Sequence, residues 1–153
     1  MSYFNVAQEG HVVSILPPVD CDGGKVCDAF SMENWSHATI ILTLGVTGGT
    51  SDVTISESTT AAAGTDIAFK YAIETTALGD TLGALTACAS TGFTTSANDG
   101  VIYVIEIDAA DLSAGYNWIC VTLATPGAAT FASAVAILSG GRYACDESAT
   151  AIV

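Results

Sequence analysis

Trp118-Ile-Cys-Val-Thr-Leu123, Thr125-Pro-Gly127 and Phe131-Ala-Ser-Ala-Val-Ala-Ile-Leu138 read as strand, turn and strand. Side chains of an extended chain alternate between two faces, so a hydropathy period of two marks strand rather than helix. Trp118, Cys120 and Thr122 alternate with Ile119, Val121 and Leu123, which predicts that both faces of this strand are covered. Phe131, Ser133, Val135 and Ile137 alternate with Ala132, Ala134, Ala136 and Leu138, and Ile137 is expected in the core. Pro126-Gly127 interrupts the chain between the two runs.

The same period extends outward. Val53 and Ile55 alternate with Asp52, Thr54 and Ser56; Phe69, Tyr71 and Ile73 alternate with Ala68, Lys70, Ala72 and Glu74. Strands are expected near 11–16, 38–46, 52–58, 66–74, 101–107, 116–124 and 130–138. Pro17-Pro18, Gly23-Gly24 and Asn98-Asp99-Gly100 punctuate them, and Gly48-Gly49 stands at a hairpin-like spacing. Only Asp108–Gly115 reads as a short helical turn, with Asp108 and Asp111 as candidate caps. Ala61-Ala-Ala-Gly64 and Ala77–Leu85 read as surface loops.

These signals predict an all-β chain: a single-domain antiparallel β-sandwich or barrel, jelly-roll-like, with extended termini. The domain is expected over 11–143, with an N-terminal arm at 1–10 and a C-terminal tail at 144–153. Trp118, Ile105, Tyr103, Phe69, Val121 and Ile137 are the expected core.

Charge narrows the function. Lys25, Lys70 and Arg142 are the only basic residues, against 16 carboxylates, for a net charge of −13. Nucleic-acid binding needs cations to displace phosphate counterions, and an anionic membrane surface needs them too. Both partners are therefore disfavoured. The first residues lack a basic region followed by a long apolar one, so synthesis and folding in a cytoplasm are expected. Half the residues are apolar, which calls for a large core or for apolar surface buried on a partner.

Each chemistry-bearing residue has a plain alternative. His11 opens one apolar strand and His37 precedes another, and no nucleophile elbow accompanies them, so strand-end packing or hydrogen bonding is preferred to catalysis. Cys21 and Cys27 flank a Gly23-Gly24 loop. A local disulfide, a zinc site with His37 as third ligand, and two reduced thiols are the three readings of that pair. Cys88, Cys120 and Cys145 read as small buried hydrophobes. Asp20, Asp22 and Asp28 match no calcium-loop register and read as a solvated acidic loop. No cofactor and no metal is expected.

Tyr3-Phe-Asn-Val-Ala-Gln-Glu9, Ser31-Met-Glu-Asn-Trp-Ser-His-Ala-Thr-Ile-Ile41, Ser96-Ala-Asn-Asp-Gly-Val-Ile-Tyr-Val-Ile-Glu-Ile-Asp108 and Ser133-Ala-Val-Ala-Ile-Leu-Ser-Gly-Gly-Arg-Tyr143 resemble a family of small virion proteins of tailed bacteriophages and prophages. The resemblance runs nearly the whole length. It implies a non-enzymatic capsid decoration (cement) protein that binds the major capsid protein on the outside of the head, as a homotrimer. An alternative in another class is a head-fibre or tail module that recognises a host-surface glycan. The Cys21–Cys27 pair departs from the family pattern. Apolar Tyr3, Phe4, Ala151, Ile152 and Val153 stand where a lone domain would fray, and they are the expected assembly contacts.

Overall fold

The computed structural model describes residues 5–74, 81–142 and 152. A one-turn helix, α1 (Val6–Glu9), precedes twelve strands: β1 (His11–Asp20), β2 (Lys25–Val26), β3 (Phe30–Ser31), β4 (Trp35–Thr47), β5 (Asp52–Ser58), β6 (Thr65–Asp66), β7 (Phe69–Glu74), β8 (Thr86–Cys88), β9 (Phe93–Thr94), β10 (Ile102–Asp108), β11 (Trp118–Leu123) and β12 (Thr130–Gly141). A 3-10 turn, Ala109–Asp111, follows β10. Every expected strand is present, and the short β2, β3, β8 and β9 add to them.

Two antiparallel sheets form a sandwich, in the orders β1-β12-β4-β10-β7-β8 and β2-β11-β5-β6. β2 and β3 both pair with β11 and act as one interrupted strand. β6 pairs with β5 and β7 with β10, so the run 65–74 leaves the small sheet and enters the large one. With these two merged and the short β8 and β9 set aside, eight strands remain, ordered 1-8-3-6-5 and 2-7-4-5, the fifth running in both sheets. Apart from that shared fifth strand, this is the order of a jelly roll's double Greek key.

The topology corrects the hairpin reading of Gly48-Gly49. β4 lies in the large sheet and β5 in the small one, so this turn crosses between sheets. A Cβ on Gly48 would meet Ala129 O at 2.6 Å and one on Gly49 would meet Pro126 O at 2.4 Å. The two crossings 48–51 and 124–129 touch backbone to backbone, and glycine is the residue that permits it. The first strand also runs further than expected. It passes through Pro17-Pro18 to Asp20 with register shifts after Ser14 and after Leu16. β1 lies at an edge of its sheet, where missing N–H donors and bulges are tolerated.

Tyr103, Ile105, Phe69 and Val121 are buried as expected; Trp118 and Ile137 are not. On β11, Ile119, Val121 and Leu123 point into the sandwich, which turns Trp118 to the outer side at the strand's start. Trp35 is the buried tryptophan instead. On β12 the inward set is Ala132, Ala134, Ala136 and Leu138. The reason is size matching along the register. Ala134 lies between Leu16 and Leu42, Ala136 between Val13 and Ile40, and Leu138 opposite Ala38. Small residues beside large ones fill an interior layer without overlap. Phe131, Val135 and Ile137 are thereby turned outward.

Candidate functional site

Two places present more than a solvated surface. The first is the open face of the large sheet. Its rows follow from register: Val12–Ile137–Thr39–Glu106–Lys70 and Ser14–Val135–Ile41–Val104–Ala72, with Ser133–Thr43–Ile102–Glu74 beside them. The β1, β12 and β4 positions of these rows carry no charge, and Glu106, Lys70 and Glu74 stand at their β10 and β7 ends, in a chain of net charge −13. Val12 and Phe131 are 53 % and 46 % exposed, and Ile41, Val104, Val135 and Ile137 are partly exposed. The bulky residues displaced from the core by the β12 alanines are the ones displayed here.

The second is a cavity of about 690 Å³ at one end of the sandwich, where β7, β8 and β10 meet two segments that cross between the sheets. Ile67, Phe69, Leu85 and Ile107 give it apolar walls, and Glu57, Glu106, Asp108 and Asp111 give it carboxylates. Glu57 is 5 % exposed. A carboxylate this buried requires donors. Ser113 supplies both, its backbone N–H to Oε2 at 2.8 Å and its hydroxyl to Oε1. These bonds tie the segment after the 3-10 turn to β5.

His37 stands at the rim, on the outward side of β4. Its Nε2 lies 2.7 Å from Glu106 Oε2 and its Nδ1 2.7 Å from Asp108 Oδ1. Thr39 Oγ1 donates to the same Glu106 oxygen at 2.8 Å. Partial burial alone would lower the His37 pKa. The hydrogen bonds and charges of Asp108 and Glu106 outweigh it, and the pKa is raised above 6.5. The cluster was not read from the sequence. Glu106 and Asp108 alternate on one face of β10, but only the register, Asp108 opposite His37 and Glu106 opposite Thr39, brings them to the imidazole. Asp108 thus occupies the cap position of the 3-10 turn without capping it, contrary to expectation.

The cysteine loop is built differently from a bridge or a metal site. Cys21 and Cys27 are free, buried thiols. Cys21 Sγ lies 3.7 Å from Val19 O, while Cys27 is held by its backbone N–H on Val121 O. Cys120 Sγ donates to Cys27 O at 3.3 Å. Burial, with Cys120 and Cys21 nearby, pushes the Cys27 thiol up to about 12. Burial also raises Cys21, Cys88 and Cys120. His37 is engaged by Glu106 and Asp108 rather than by the cysteine pair. Asp20 turns inward on its own loop, accepting from the N–H groups of Asp22 and Thr130, while Asp22 and Asp28 are exposed. No metal-binding cluster occurs among the described residues.

His11 stacks on Trp35 at 6.0 Å between ring centroids, the packing role expected of it. Ile152 makes an antiparallel bridge with Phe30 and packs against the core of its own chain. Tyr3, Phe4, Cys145, Ala151 and Val153 lie outside the described residues. Comparisons with protein-family models, curated proteins and solved structures find no match to this chain.

Proposed function

We propose that this chain is a non-catalytic structural protein of a tailed-phage virion, a decoration or cement protein that binds the major capsid protein on the exterior of the head. The observation that carries the reading is the uncharged, largely apolar stretch of the large sheet's open face over β1, β12 and β4, with charge only at its β10 and β7 margin, in a strongly acidic chain. Stable interfaces have an apolar core depleted of charge and a polar rim, and this face has that composition. The jelly roll is a frequent solution for capsid and lectin domains, which supports the reading by analogy of fold only. The segments quoted above as resembling phage virion proteins add to it.

In this reading the acidity keeps free subunits apart and off packaged DNA. Association, as a trimer and on the shell, goes through the uncharged stretch of that face. Repetition of one modest contact over the shell multiplies its effect. The protein would be made in the host cytoplasm and act on the capsid exterior. The apolar termini, Tyr3, Phe4, Ala151, Ile152 and Val153, are proposed as further assembly contacts, with Ile152 also resting on its own domain.

Co-sedimentation with expanded, empty shells tests this. Val12→Asp and Phe131→Asp alter exposed positions of the face, so the fold should survive, as far-UV circular dichroism will check. Shell binding should fall in both. Native-level binding by both folded variants would remove the face from the account. The end cavity favours one second reading, a fibre or tail module that binds a host glycan, because its carboxylates are groups that hold sugar hydroxyls. Glycan-array binding that is lost in Asp111→Asn would favour that reading over the first.

A further inference from the structure

Asp108 has two possible partners. It stands at the N-cap of the 3-10 turn Ala109–Asp111 in extended conformation, yet its side chain makes no capping bond. An aspartate at that position ordinarily accepts from the N–H groups two and three residues on, here Ala110 and Asp111. Its carboxylate lies on His37 Nδ1 instead, at 2.7 Å.

Both ring nitrogens of His37 face carboxylate oxygens at 2.7 Å. Only the imidazolium has two N–H donors; a neutral ring has one donor and one lone pair. A lone pair at that distance from a carboxylate is repulsive, so one contact opens when the proton leaves. The two are not equivalent. Glu106 keeps the hydroxyl of Thr39 and faces Lys70 across the β10–β7 pair. The Asp108 side chain is 58 % exposed.

We propose that His37 is a pH-sensitive clasp: protonated, it ties the end of β10 to β4; neutral, it keeps Glu106 and releases Asp108, whose carboxylate then caps the 3-10 turn. The released segment is the one that crosses to the small sheet, where Ser113 holds Glu57. Its position sets one wall of the end cavity, through Asp111 and Ser113. The groups that bear on His37 are few. β10 contributes Glu106 and Asp108, and β12 contributes the uncharged Ser139 opposite it. Lys70 stands across Glu106 on β7, Asp111 follows on the 3-10 turn, and Glu57 lines the far side of the cavity. Arg142 lies just past β12, on Asn34 O. The carboxylates outnumber the cations, in keeping with the raised pKa of the ring.

Nuclear magnetic resonance of the whole chain tests this by titrating from about pH 5 to about pH 9, a span that brackets histidine. The His37 ring, assigned with His37→Gln, should titrate with a midpoint above 6.5. The amide protons of Ala110 and Asp111 should move with the same midpoint. Their exchange, corrected for intrinsic rates, should slow by roughly fivefold above it, as a formed cap would give. In Asp108→Ala, which removes both the imidazolium's partner and the cap acceptor, the ring midpoint should fall and both amides should stay still. Amides that ignore the ring titration in the native chain overturn the proposal. So do amides that move equally in Asp108→Ala.

Discussion

Leu138 and Ile137 are neighbours of nearly equal size on opposite faces of β12, and truncating each in turn measures which face is the core. Leu138 is 0 % exposed and lies opposite Ala38, while Ile137 is partly exposed between Val12 and Thr39. Leu138→Ala leaves a void that Ala38 cannot fill, so its cost belongs in the upper half of the roughly 2–5 kcal/mol found for such changes. Ile137→Ala gives up only the covered part of its side chain, about 1 kcal/mol at ~25 cal/mol/Å². The difference is some 2–3 kcal/mol by the same accounting. Urea unfolding followed by tryptophan fluorescence reads it. With a slope of about 1–3 kcal/mol/M, the Leu138→Ala midpoint should lie on the order of 1 M below that of Ile137→Ala. Equal midpoints, or the reverse order, would refute the inward assignment of the alanine face. Ala134→Leu gives the converse check. Leu16 and Leu42 flank the site, so overpacking should cost about 1–3 kcal/mol even though hydrophobicity rises.

Ser113→Ala removes a donor from the buried Glu57 carboxylate and should destabilise by about 1–3 kcal/mol in the same assay, with Glu57→Gln in the native background costing less. Gly92→Ala places a Cβ 2.1 Å from Val53 O at φ +78°, so it should lose more than ~1 kcal/mol, read as a lower Tm. Because the folded His37 pKa is raised, its contribution to stability is complete below 6.5 and disappears as pH rises through the folded value. The half-open site limits it to about 1 kcal/mol or less, so Tm at pH values above the midpoint should converge on that of His37→Gln and high salt should shrink the gap. Buried thiols with raised pKa values should resist iodoacetamide in the native state at neutral pH, and all five cysteines should react after unfolding without reductant. Rapid native modification of Cys27 would contradict its placement. Failure of Cys21 and Cys27 to react after unfolding would mean that they are bridged.

The strands were legible because period-two runs and their Gly, Pro and Asx breaks survive in any packing. The jelly-roll arrangement was legible only as a class, since partner choice between sheets depends on contacts that sequence does not order. β12 shows the limit most clearly. Both of its faces are apolar, so hydrophobicity cannot choose between Ala134 and Val135; the choice is made by Leu16, Leu42 and Ile40 on other strands. Gly48-Gly49 has hairpin composition but serves a close approach to Pro126 and Ala129, which only the fold reveals. The His37 cluster joins residues about 70 positions apart, and without the β4–β10 register its histidine reads as a strand-end residue. Both faces of β11 read as covered, which puts Trp118 in the expected core, whereas the inward parity of Ile119, Val121 and Leu123 settles its side.

The central proposal, that this is an exterior virion protein, is tested most directly by protein stoichiometry in virus-like particles purified from cells that carry its gene. Quantitative mass spectrometry of intact particles, before and after brief surface proteolysis, should find the chain at a copy number comparable to the major capsid protein and accessible from outside. Absence from the particles, or a few copies confined to the tail, would contradict the account.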